Sequence, residues 1–197
     1  MYQANASHTG FTPIQIGFQT AAQRWSVRYG TYSNSAATTG AGKVFFASND
    51  KKLIALDTAT GAEAWRVDLT STQYLSPPAF NDGKVYIQTC NHATDTYLRC
   101  YRADTGALVF QSAHQAQWET YLAPTFYDGK VYVNGGYYGG MYAFDGTSGQ
   151  QLWFRALAQY DRWTPAVTAT TCYAYAGNQF SAVDRATGAI AYQITDT

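Results

Sequence analysis

The segment "ALDTATGAEAW" (55–65) returns along the chain as "CYRADTGALVF" (100–110), "AFDGTSGQQLW" (143–153) and "AVDRATGAIAY" (182–192). Each copy reads as a strand, a polar turn closed by glycine, and a second strand with an aromatic residue four positions beyond that glycine. The glycines are Gly61, Gly106, Gly149 and Gly188, spaced by 45, 43 and 39 residues. A second element precedes each copy. "SPPAFNDGKVYI" (76–87) matches "LAPTFYDGKVYV" (122–133), with weaker copies in "TPAVTATTCYAY" (164–175) and "AATTGAGKVFFA" (36–47). Asp82-Gly83 and Asp128-Gly129 are hairpin turns, because glycine takes positive φ without steric cost. A third turn joins the two elements: "SNDKKL" (48–53), "CNHATDTYL" (90–98) and the glycine-rich "NGGYYGGM" (134–141). Each unit thus holds four short strands, A to D, and no segment has useful helical period.

A four-stranded sheet recurring every 40 or so residues marks the blades of a β-propeller. The cause is burial. A small sheet has two apolar faces and cannot cover both, whereas sheets stacked around an axis cover each other. Alternation within a strand serves one neighbour on each side, so Val85 and Ile87, like Val131 and Val133, are expected to share a face. The expected fold is all-β: a propeller of four-stranded antiparallel blades at about 33–69, 74–113, 120–157 and 162–195. Residues 1–30 form an N-terminal segment of the same 1–197 propeller region. In that segment "AAQRWSVRYG" (21–30) reads as a lone strand D with Trp25 at the aromatic position.

The repeat resembles the pyrroloquinoline-quinone-type (quinoprotein-like) propeller family and its "A-x-D-x-x-T-G-x-x-x-W" tryptophan-docking motif. Ala55, Asp57, Thr60, Gly61 and Trp65 match in full. Ala143, Asp145, Gly149 and Trp153 match with Ser148 for threonine, and Ala182, Asp184, Thr187 and Gly188 match with Tyr192 for tryptophan. The second unit diverges to Cys100, Arg102, Thr105, Gly106 and Phe110. The resemblance implies that the aspartate and threonine organise the C–D turn and that the aromatic packs on the next blade. Trp25, Asp57, Gly61, Trp65, Gly106, Phe110, Asp145, Gly149, Trp153, Asp184, Gly188 and Tyr192 are therefore expected to be structural. A WD-type repeat would instead end strand C in Trp-Asp.

Family rings commonly have eight blades, and some have seven. Four sets of A–B–C leave three outcomes: a fragment completed by the missing blades of a longer parent, self-association into an eight-bladed ring, or closure by four blades alone. The fifth D-like strand is redundant in a two-copy ring and favours the truncated parent.

Function is expected on the face that gathers the D–A and B–C loops. D–A segments bring Tyr74, Trp118, Glu119, Tyr121, Tyr160, Asp161, Arg162 and Trp163. B–C loops bring His92, Tyr137 and Tyr138. Such a rim can stack on sugar rings, quinones or peptide segments; the plainer reading, that its aromatics plug the channel entrance, is favoured over a specific small-molecule site. Arg162 with Asp161 and Glu119 reads as a rim salt bridge, and His92 and His114 as exposed loop or strand-end residues. No Gly-x-Ser-x-Gly elbow, phosphate loop, calcium loop or zinc-ligand spacing is present.

The family's dehydrogenases need a full ring, calcium bound by carboxylate and amide groups, a catalytic aspartate and often adjacent cysteines. The chain has four units and no Cys-Cys pair. It therefore reads as a non-catalytic binding scaffold with no cofactor and no metal. The alternative is a fragment of a quinone-dependent alcohol or sugar dehydrogenase, for which the quinone and calcium would be required. Thirteen basic residues balance thirteen acidic ones, which gives no field for nucleic acid, and no apolar run reaches membrane-spanning length. Residues 1–5 lack the basic and apolar regions of a signal peptide. Relatives are mostly exported, so the resemblance implies a periplasmic or extracellular site. Of three cysteines, Cys90 and Cys100 flank a loop; they either bridge it as a disulfide or join Cys172 as buried thiols.

Overall fold

The computed structural model describes residues 5–9, 22–30, 34–91, 96–116, 122–159 and 163–196, and among them there is no helix. The strands fall into four antiparallel sheets. The first holds β1 (Thr38–Gly40), β2 (Lys43–Ala47), β3 (Lys52–Asp57) and β4 (Glu63–Asp68). The second holds β5 (Tyr74–Leu75), β6 (Ala79–Asn81), β7 (Lys84–Cys90), β8 (Thr96–Arg102) and β9 (Leu108–His114). The third holds β10 (Thr125–Tyr127), β11 (Lys130–Asn134), β12 (Gly140–Asp145) and β13 (Gln151–Ala156). The fourth holds β14 (Ala166–Val167), β15 (Thr171–Ala176), β16 (Gln179–Asp184) and β17 (Ile190–Thr195).

Strand A of the second sheet is split, and both β5 and β6 pair with β7. The break falls at Ser76-Pro77-Pro78, where proline has no N–H to donate. Ser76 bridges the gap: its N–H donates to Gln88 O at 2.9 Å, and its Oγ accepts from Gln88 N at 3.0 Å. Ser35 does the same for Ala47 in the first sheet.

The A strands of neighbouring sheets meet, β1 with β6, β6 with β10 and β10 with β14. The sheets therefore radiate from an axis lined by A strands, as propeller blades do. Each blade has a leading face toward the next blade and a trailing face toward the previous one. Phe45, Leu53, Ala55 and Trp65 of blade 1 pack on Val85, Ile87 and Tyr101 of blade 2. Tyr86, Leu98, Cys100 and Phe110 of blade 2 pack on Val131, Val133, Tyr142 and Phe144 of blade 3. Tyr132, Met141, Ala143 and Trp153 of blade 3 pack on Cys172, Ala174 and Val183 of blade 4. Val85 and Ile87 thus share the trailing face of their blade, as do Val131 and Val133 of theirs.

All four C–D hairpins carry a β-bulge at the same place: Ala55/Leu56, Cys100/Tyr101, Ala143/Phe144 and Ala182/Val183. An extra residue there adds twist and aims the D-strand aromatic out of its own sheet. In blades 1, 3 and 4 the turn aspartate uses one oxygen for three donors. Asp57 Oδ1 accepts from Ala59 N, Thr60 N and Thr60 Oγ1 at 3.0, 2.8 and 2.9 Å, and Asp145 and Asp184 repeat the set. In blade 2 Arg102 takes that place and pairs with Asp104, while the turn's backbone bonds persist.

Trp65 Nε1 donates to Ala103 O of blade 2 at 2.9 Å, and its ring covers Gly106. Trp153 Nε1 donates to Arg185 O of blade 4 at 3.1 Å, over Gly188. Phe110 lies over Gly149 and has no N–H; Ser112 Oγ donates to Gly149 O instead. Residues 22–30 do not form a regular strand, yet Trp25 repeats the geometry on blade 1, with Nε1 to Thr58 O at 2.9 Å over Gly61.

The three cysteines are buried free thiols, which corrects the disulfide considered above. Cys100 stands opposite Tyr86 on β7, whereas Cys90, at the far end of β7, receives a hydrogen bond from Thr96 Oγ1. Four residues of ladder separate Cys90 from the site opposite Cys100, about 13 Å at strand rise, too far for a bridge.

Candidate interaction face

The B–C loops and the entries to the A strands lie at one end of the blades. Tyr74 pairs with Cys90 in the ladder, is half-buried, and has the Lys51 ammonium 5.8 Å from its ring centre. Cys90 packs on Ala116, and Ala116 bridges to Gly136 of blade 3. Gly136 N donates to Gln115 O at 2.7 Å, and its φ of 91° turns the loop outward. Tyr137 and Tyr138 follow, edge to face at 4.8 Å and 45% and 70% exposed. Tyr74 and the tyrosine pair are thus linked through Cys90, Ala116 and Gly136.

Trp163 behaves differently from the rim residue the sequence suggested. It is buried with Ala6 and Val167 in the core between blades 3 and 4, so it fills space. His92, Trp118, Glu119, Tyr121, Tyr160, Asp161 and Arg162 lie outside the described residues.

Behind this face lies a polar layer between blades 2 and 3. Gln88 Nε2 donates to Asn134 O at 2.9 Å and approaches His114 Nε2 at 3.1 Å. His114 sits edge-on to Tyr142 and Phe144. It is the last residue of β9, at a strand end as expected, but half-buried rather than exposed. Its Nδ1 and the Gln88 Oε1 are buried without a hydrogen-bonding partner. Burial lowers the imidazole to about 4, so the ring is neutral at physiological pH.

At the opposite end, an open groove of about 570 Å³ runs between blades 1 and 2 past Asp82, Lys84, Arg102 and Asp104. Arg102 and Asp104 neutralise each other there. Elsewhere Asp128 pairs with Arg185, which also lies over the Tyr127 ring. Burial pushes the Cys100 and Cys172 thiols up to about 12, where they are poor nucleophiles.

Among the described residues, no three His, Cys, Asp or Glu side chains converge as a metal cage requires, and the aspartates Asp57, Asp145 and Asp184 are engaged by their own turns.

Four stacked four-stranded blades around a common axis define a β-propeller. Within that class, the family model described as outer membrane protein assembly factor BamB matches residues 16–97 and 94–197. The chain belongs to this PQQ-type repeat family. No curated protein sequence matches it. Among solved structures, BamB from Moraxella catarrhalis is similar at 23% identity and TM-score 0.70, over 90% of this chain and 56% of that one. The quinohemoprotein alcohol dehydrogenase from Comamonas testosteroni is similar at 19% identity and TM-score 0.67, over 82% of this chain and 35% of that one. The computationally designed Ika4 protein is similar at 16% identity and TM-score 0.62, over 90% of this chain and all of that one. The chain spans about half of the BamB chain and a third of the dehydrogenase.

Sequence reading missed the His114 layer, which needs partners from three other strands, β7, β11 and β12. An open blade face was expected of a half ring, and the repeat locates it on blade 4, where Tyr173 aligns with Phe45, Tyr86 and Tyr132.

Proposed function

We propose that this chain is a non-catalytic propeller module that binds a protein segment through its loop face in the cell envelope. The supporting observation is the exposed Tyr137–Tyr138 pair, held on a glycine turn that two blades fix. Tyrosines on a rigid mount offer contact area at small entropic cost. The family's description as an outer membrane protein assembly factor weighs toward a protein ligand over a glycan. Aspartates tied up in turns and unreactive buried thiols weigh against catalysis. Trp65, Phe110 and Trp153, with their turn glycines, serve as structural docking residues in this reading.

The test places a photo-crosslinking residue at position 138 and, as control, at Ala59 on the opposite end. Crosslinking is done in envelope extracts, followed by affinity measurement with the purified partner. One partner captured from position 138 alone, with affinity reduced at least about tenfold by joint Tyr137→Ala and Tyr138→Ala, is expected. Equal capture from both positions overturns the proposal. The likeness to an alcohol dehydrogenase supplies the second reading, a fragment of a quinone enzyme. It requires saturable uptake of quinone with calcium, which the first reading does not.

A further inference from the structure

The leading face of blade 4 is built like the other three, but among the described residues no blade covers it. Phe45, Tyr86 and Tyr132 are each almost wholly buried by the next blade; Tyr173, at the same position, instead lines an open cavity of about 310 Å³ with Tyr175 and Phe180. Trp65, Phe110 and Trp153 are 8–9% exposed, whereas Tyr192 is 48% and Ile194 59% exposed. Tyr173 and Phe180 already stack, with ring centres 5.7 Å apart. This face lacks only its counterpart: a trailing face with a left-handed turn glycine.

Among the described residues, one such counterpart lies outside the stack. The trailing face of blade 1, Phe46, Ile54 and Leu56, is covered by Trp25 and Tyr29 rather than by a blade. A Cβ on Gly61 would meet the Trp25 ring at 2.7 Å, against 2.8 Å for Gly106 with Trp65 and for Gly188 with Trp153. Trp25 therefore sits in the seat that a leading-face aromatic would take.

We infer that the leading face of blade 4 docks on the trailing face of blade 1 in a second copy of this chain, and that the Trp25–Tyr29 segment competes for that seat. The contact is heterologous, and two copies joined twice close a ring. It continues the interface already repeated three times within the chain. Because the seat is occupied in cis, association is weakened by the fraction of copies in which Trp25 is bound.

Sedimentation velocity from micromolar to millimolar protein tests this, with circular dichroism to check folding. The native chain is expected to move from 21.7 kDa to twice that mass as concentration rises, with no larger ring. Trp25→Ala tightens the dimer by at least about tenfold. Tyr192→Asp, on the exposed face, returns both the native chain and Trp25→Ala to monomer. Should Trp25→Ala unfold, Trp25→Gln replaces it. A native chain and Trp25 variant that both stay monomeric at millimolar concentration overturn the inference. So does association that survives Tyr192→Asp, which places the contact elsewhere.

Discussion

At the scale of single residues, the docking turns rest on backbone that only glycine adopts cheaply. Gly106 has φ 73° and the Trp65 ring 2.8 Å from where a Cβ would stand; Gly83 has φ 71° and open space. Both bear the left-handed penalty of about 1 kcal/mol when changed to alanine, but only Gly106→Ala also pushes on a ring. Urea unfolding should show Gly83→Ala losing about 1 kcal/mol and Gly106→Ala a further 1–2 kcal/mol, through overpacking. His114 sets a pH dependence. Its folded pKa, about 4, lies below the unfolded value near 6.5, so the unfolded chain binds the extra proton. Stability falls as pH drops from about 6.5 to 4 and then levels for this group, by up to roughly 3 kcal/mol. His8 is lowered too, so the difference between native chain and His114→Phe isolates the effect, and the variant's slope over that window should be flatter. Below it, Asp57, Asp145 and Asp184, held low chiefly by their turn hydrogen bonds, lose their contribution on protonation in both proteins.

At the scale of strands and hairpins, the legible part was what repeats locally. Turn glycines, Asp-Gly hairpins and an aromatic four residues past the glycine are short-range signals, and each lies where the structure has a turn or D strand. Ala41 shows the limit. With φ 48°, it takes the turn position that Asp82 and Asp128 hold in blades 2 and 3, and no local signal marks it. His114 read as exposed because its surroundings come from Gln88, 26 residues away, and from the Tyr142 and Phe144 rings of another blade. Trp163 read as a rim aromatic because its partners Ala6 and Val167 are distant in sequence or unremarkable. Tyr137 and Tyr138 were legible because glycines on both sides of the pair force the loop outward. Trp153 on β13 ties blade 3 to blade 4. Trp153→Ala removes the indole and its bond to Arg185 O, a loss of about 3–5 kcal/mol. It should raise amide exchange across β14–β17 well before β2 and β3.

At the scale of the whole molecule, the blades are held together by non-covalent packing and inter-blade hydrogen bonds. No disulfide joins the blades, so adding a thiol reductant should leave the unfolding midpoint unchanged. A thiol reagent should report three reactive groups only after unfolding. A shift of the midpoint by more than a degree or two on reduction would contradict the buried free thiols.

The division of every sheet into a leading and a trailing set means each blade feels only its two neighbours. Blade 4 has one covered side, while blades 2 and 3 have two. Drawn apart by its termini in a force experiment, the chain should yield in a sawtooth of separate ruptures. The first tooth is the release of blade 4 as Trp153 leaves Gly188, and the inner pair of blades resists longest.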